Sequence, residues 1–399
     1  MNIFKFVCAL ILLPITSFAK CELDTFFQRS SEYIAYQIDK ENNEISSQDS
    51  KLSLLPDISV GVGQYINNGK GLVPFEKSNL FISISHDLLS TYRYFSIAEK
   101  IRIKNMLIDN GINQKRNEYI LTLYSELLNL EFKKYEIDLI NNRLNKSKIE
   151  LAKTNNDYHL GMVSKITVDT KIQNIKKIEL KKKELEINRD AMQTRISKRF
   201  FIPENMVNSI NSDVILTCKK KTIQDLSKKD TFLKFKDSLA DEHMIKTSRL
   251  PSVYISFNIS PKNSGALENF SFKKADYSAN IGLTVPLGSF ISSYNNEKRS
   301  YIEMMKNQEN HIKNTRDIDI QKDDLRERIS TLKLVSDSIR HDITAQELKI
   351  KYIENTPKQS YGDLLAYIHA QDELYELQTA LKKNEAETMY YTIYIDFFS

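Results

Sequence analysis

The chain has 399 residues, with 57 basic and 52 acidic side chains, ten glycines, eight prolines and no tryptophan. A net charge of +5, spread along the chain rather than gathered, excludes a nucleic-acid footprint, and the blocks Lys181–Lys183 and Lys219–Lys221 read as solvated faces. Charged residues at 27% with so little glycine and proline suit long solvated helices better than layered globular domains.

Residues 1–19 have the form of a secretory signal: MNIFK is a short positive start, FVCALILLPITSF an apolar core, and Ser17–Phe18–Ala19 a small-x-small cleavage site. The apolar run is shorter than the roughly 20 residues a spanning helix needs. No later segment approaches one, so an exported chain that crosses a membrane must do so as strands. Lys20 in front of Cys21 is a poor fit to a lipoprotein cleavage site. With Cys8 removed, Cys21 and Cys218 remain, either as a disulfide or as two free thiols in an oxidising compartment.

Residues 20–54 read as a helix, running from about 22 to 53. DISVGVGQY (57–65) then alternates: Ile58, Val60 and Val62 on one face, Ser59, Gly61 and Gly63 on the other. A Gly- and Pro-containing loop (66–78) leads to a return strand, NLFISISHD (79–87), so residues 55–90 form a hairpin. Residues 91–203 form a helical hairpin. Its first arm, about 91 to 159, carries Leu123, Leu130, Ile137, Leu144, Leu151 and Tyr158 at seven-residue spacing, a coiled-coil seam. Gly161 ends it, Ser164 or Thr167 caps the next helix, and Ile178, Leu185 and Met192 continue the spacing before Pro203.

A weakly patterned linker (204–249), with a short helix expected at 223–246, precedes a restart. LPSVYISFNIS echoes LPDISVGVGQY at an offset of 195 residues from Pro56 to Pro251. A second hairpin (250–289) pairs it with YSANIGLTVPLGSF, where Tyr277, Ala279, Ile281, Leu283 and Val285 oppose Ser278, Asn280, Gly282 and Thr284, up to Pro286. A second helical hairpin (290–399) follows. Leu325, Ile329, Leu332, Val335, Ile339 and Ile343 form its seam, a break lies at 356–367, and a last helix reaches Phe398. The chain is thus a tandem duplication of β-hairpin plus long helical hairpin, mainly α with a small β part.

Strands with one apolar and one polar face cannot bury themselves against charged coiled coils. In a bilayer only a closed barrel satisfies strand edges, and four strands are too few to enclose a pore, so several copies must contribute. No glycine stands at the required offset before Gly69–Lys70 for a phosphate loop. His86, His159, His243, His311, His341 and His369 are scattered, without HExxH or clustered cysteines. The expectation is no enzyme, no cofactor and no bound metal.

In LPDISVGVG with NLFISISHDL, LPSVYISFNIS with YSANIGLTVPLG, and the two bends, the chain resembles the TolC-like outer-membrane factors. These are the exit ducts of efflux pumps and type I secretion systems, and the likeness spans essentially the whole mature chain. At the bends the family carries Gly, a small hydroxyl residue and then Asp-Val. GMVSKITV matches with Gly161, Ser164 and Val168 but has Thr167 for the Asp, and PKQSYGDL matches with Ser360 and Asp363 but has Pro357 for the Gly.

The resemblance implies a homotrimer with a 12-stranded β-barrel among outer-membrane lipid and a periplasmic α-helical tunnel. It implies a passive conduit, docked at its tips (Gly161, Ser164, Thr167, Val168, Pro357, Ser360) by a periplasmic adaptor, or membrane fusion protein, and energised by an inner-membrane transporter. The family narrows the tunnel with acidic rings and gates it by contacts among helices near the bends. Asp363 takes one ring position, and Ala366 stands where a second would be, which implies a looser gate. The resemblance also sets Cys21 and Cys218 together beside the chain start and inter-repeat linker, implying a disulfide. The alternative is a periplasmic coiled-coil adaptor or scaffold without a barrel, against which two hairpins each preceded by a two-faced strand pair argue.

Overall fold

The computed structural model describes residues 21–63, 79–248, 250–261, 275–285, 287–355 and 361–399. The expected signal segment (1–19), the loop at 66–78, Pro286, Pro357 and Ser360 lie outside them. In chain order the elements are α1 (Leu23–Phe27), α2 (Ser31–Leu52), β1 (Asp57–Gly63), β2 (Asn79–Asp87), α3 (Ser90–His159), α4 (Lys165–Phe200), α5 (Glu204–Val207), α6 (Ser212–Thr217) and α7 (Ile223–Ser248). The second half holds β3 (Ser252–Pro261), β4 (Ala275–Thr284), α8 (Leu287–Asn355) and α9 (Tyr361–Phe398). No described helix is long and apolar enough to cross a membrane.

The chain divides into two compact units, one of residues 32–115 and 223–321, the other of residues 1–31, 116–222 and 322–399. In the first, the strands form one antiparallel sheet of order β1-β2-β3-β4. Four helices stand in sequence. The Asn43 amide of α2 donates to the Ile101 carbonyl of α3, and Asn110 of α3 donates to the Leu226 carbonyl of α7. Asn307 of α8 donates to Ser238 Oγ of α7, giving the order α2-α3-α7-α8. Ile103, Leu233 and Ala240 form an apolar core between α3 and α7.

The second unit repeats the plan as α4-α3-α9-α8. Ile137, Ile140 and Leu144 of α3 pack on Ile175, Ile178 and Leu185 of α4. Arg143 of α3 pairs with Asp372 of α9, and Asn384 of α9 donates to the Leu332 carbonyl of α8. The seven-residue seam is buried at Leu123, Leu130, Ile137 and Leu144, as packing along two supercoiled helices requires, while Tyr158 near the bend is exposed.

Three local expectations are corrected. The first helix breaks at 28–30 into α1 and α2, because α1 turns its Leu23, Phe26 and Phe27 into the core. Val335 of the α8 seam is 42% exposed and Ser336 is buried in its place, since Asn384 donates to Ser336 Oγ and the pair needs a hydroxyl there. The linker helix α7 has 26 residues and is one of the four standing helices of its unit.

Cys21 and Cys218 form a disulfide, with Cα atoms 4.8 Å apart, joining the segment before α1 to the end of α6. Beside it Asp24 accepts from Arg116 Nε at 2.6 Å and Lys220 Nζ at 2.5 Å. Burial works against the Asp24 charge, but these two cations outweigh it and hold the carboxyl below its ordinary value. Asp24 therefore adds stability at neutral pH that fades as the pH falls through that lowered value.

Candidate functional site

The sheet is two-faced in three dimensions because its register keeps like residues in line. The row Ser59↔Ser83↔Asn258↔Ser278 crosses all four strands on one side, next to Asp57↔Ser85↔Ser256↔Asn280. The other side carries Ile58↔Ile84↔Phe257↔Ala279 and Val60↔Ile82↔Ile259↔Tyr277. A slip of one residue at any pairing would put an apolar row among the serines. The apolar side is bare: Ile58, Val60, Ile281 and Leu283 are 65%, 66%, 79% and 65% exposed.

Two aromatics break the polar face, and each covers a glycine. Phe81 lies across Gly61, and Tyr254 lies across Gly282, where an added β-carbon would come within 2.3 and 2.2 Å of the rings. These strand glycines are required by close approach, one in each repeat.

The joint from sheet to helix is a clasp. Arg93 in the first turns of α3 pairs with Asp87 at the end of β2 at 2.5 Å. Its other amino group donates to the Leu250 carbonyl and to Ser252 Oγ at the start of β3. One guanidinium thus fixes the angle at which two strands meet a long helix.

At the first bend α3 ends in a Schellman turn: Gly161 has φ +73°, its N–H reaches the Tyr158 carbonyl, and the Met162 N–H reaches that of Asp157. Ser164 precedes α4 in extended conformation, with its hydroxyl on the Thr167 hydroxyl at 3.0 Å rather than on a backbone N–H. Val168 is buried. Leu160, Met162 and Ile166 stand 70%, 64% and 60% exposed, giving the bend an apolar tip. At the second bend Asp363 lies in the first turn of α9, and its side chain is outside the described set.

Above the bends a buried cluster ties four helices. Tyr367 of α9 is 2% exposed, and its hydroxyl meets Glu150 of α3 and Glu354 of α8, the latter at 3.0 Å. Gln371, one turn on, donates to the same hydroxyl, and Lys171 of α4 pairs with Glu150 at 3.5 Å. Burial, then the Glu150 and Glu354 carboxylates, push the Tyr367 phenol far above its ordinary value, so it stays protonated. The cluster borders a cavity of about 740 Å³ lined also by Arg143, Lys146, Glu347 and Tyr375, whose phenol burial pushes up to about 12.

Sequence patterns do not find this cluster, since its members are up to 217 residues apart. One trace exists: Tyr367 shares an α9 face with Ala370, also buried, at helical spacing. Among the described residues no group of three or more His, Cys, Asp or Glu is placed to hold a metal.

No protein-family model and no curated protein matches the chain. Solved structures do. The outer membrane protein VceC of Vibrio cholerae superposes with a TM-score of 0.74 at 9% identity, over 94% of this chain and 93% of that one. The CmeC outer membrane channel of Campylobacter jejuni gives 0.71 at 12% identity, over 94% and 83%. The open MtrE outer membrane channel of Neisseria gonorrhoeae gives 0.67 at 12% identity, over 94% and 87%. With its duplicated hairpins, two-faced sheet and paired four-helix units, this chain has the fold of the TolC-like outer-membrane factors.

Proposed function

We infer that this chain is one of three subunits of an outer-membrane conduit, and that the barrel forms when three sheets join edge to edge. The observation that carries this is the bare apolar face, with Ile281 79% exposed opposite unbroken rows of Ser and Asn. Lipid covers such a face, and water fills the space behind the other. The edge strands β1 and β4 await partners, and three copies of four strands make twelve.

The helices support the same closure. In each four-helix unit the two outermost helices expose apolar residues at heptad spacing. In one unit these are Ile38, Ile45 and Leu52 on α2 against Met305 and Ile312 on α8; in the other, Leu180 and Ile187 on α4 against Leu334 and Leu348 on α8. Inner helix α9 exposes just Met389 among its described large apolar residues. Two unlike sticky edges on one subunit make a head-to-tail contact that closes into a ring.

In this reading the apolar tip around Gly161, Ser164, Thr167 and Val168, with Pro357 and Ser360 at the second bend, receives a periplasmic adaptor linked to an inner-membrane transporter of an efflux or type I secretion system. Asp363 supplies a ring of three carboxylates at the aperture. The Tyr367 cluster, which joins α3, α4, α8 and α9 just above the tips, holds the aperture shut. Transport is passive, with no catalytic step.

Separating cell membranes on a density gradient tests the reading. The protein is expected in the outer-membrane fraction, released by detergent alone as particles of three chains. Recovery as a soluble periplasmic protein would turn the account to a scaffold.

A further inference from the structure

We propose that the Tyr367 cluster is a proton-operated latch: its joined form holds one proton more than its separated form, so acid closes the periplasmic end and rising pH releases it. This rests on the conduit reading and adds its regulation. The proposal follows from counting hydrogens.

Tyr367 has a single hydroxyl hydrogen, yet its oxygen lies within hydrogen-bonding reach of two carboxylates, Glu150 Oε1 and Glu354 Oε1. The Gln371 amide donates to the same oxygen at 2.5 Å. With both glutamates ionised, one carboxylate faces the phenol oxygen with no hydrogen between them, and the two like charges repel.

One added proton from water removes the conflict. Carried on Glu354, it makes that carboxyl a donor to Tyr367 Oη, while the phenol donates to Glu150. The phenol oxygen then accepts from Glu354 and Gln371 and donates once, which fills its capacity. Glu150 is the partner that stays ionised, because Lys171 of α4 sits on its other oxygen.

The remaining charged neighbours do not supply the missing hydrogen. On α3, Arg143 is engaged by Asp372 of α9, and Lys146 lines the cavity. On α8, Glu347 and Lys351 line it as well, while Lys349 pairs with Glu373 of α9. Uptake of a single proton changes the open-to-closed ratio by at most about tenfold per pH unit.

The test uses the full-length purified protein in planar bilayers, with the tip side stepped from about pH 8 to about pH 5. Hydrogen exchange over residues 361–378, corrected for its intrinsic pH dependence, follows the latch without requiring current. Wild type is expected to open less and protect α9 more in acid. Glu354→Gln carries its own N–H donor, so it stays closed and protected across the range. Tyr367→Phe removes the hub and stays open and unprotected across it. Two flat profiles at opposite levels support the latch. Wild-type pH profiles retained in both variants overturn it. Absence of current with the exchange pattern intact faults the conduit reading alone.

Discussion

Leu334→Asp on α8 is expected to convert the assembled protein into single, folded chains. Leu334 is 72% exposed within its own subunit, so a carboxylate there costs the isolated fold little. In the ring it meets the outermost helix of the next subunit, where Leu180 and Ile187 are each 68% exposed. Each buried leucine contributes about 2 kcal/mol, and a carboxylate in its place adds a desolvation cost. The substitution occurs once per interface, so a closed ring of three carries it three times. Native mass in detergent should fall to that of one chain, with helical circular dichroism unchanged. Leu180→Asp, on the opposite edge, should do the same, because a head-to-tail ring fails from either side. Retention of three chains by both variants would place the interface elsewhere.

The second large effect is on stability. Joint replacement of Cys21 and Cys218 by serine is expected to cost about 3–5 kcal/mol, the range for a bridge closing a very long loop. This bridge spans a sequence separation of 197 and both cysteines are buried, at 2% and 0% exposure. It fixes α1, whose Phe27 ring packs on Tyr119, which in turn donates to the Phe200 carbonyl at the end of α4. Without it the Asp24 contacts to Arg116 and Lys220 must hold the segment alone. Thermal melting should show a fall of about 10 °C or more. An unchanged midpoint would mean that the buried ion pairs suffice.

The two periodicities carry most of what the sequence makes legible. Seven-residue spacing over Leu123 to Leu144 and strict alternation in 277–285 each have one good burial solution, so both elements appear where the pattern puts them. The break at 28–30 and the exchange of Val335 for Ser336 in the α8 seam were hidden, because each depends on a partner far along the chain. The pairing of β2 with β3 across the long helices and the linker is likewise a tertiary fact. Of the functional positions, Gly161 was legible because a helix end needs a left-handed residue there, whereas the Tyr367 cluster draws on four helices and has no local signature. The glycines under Phe81 and Tyr254 were visible as small residues in strands, but their covering rings come from cross-strand register.

The central claim is that three copies enclose a water-filled passage through a bilayer. Planar-bilayer recording of the purified wild-type protein tests it most directly. The account predicts discrete current steps whose size grows with salt concentration, carried by the polar rows of Ser and Asn. A protein that inserts with no current at any voltage or pH, even as Tyr367→Phe, would contradict it.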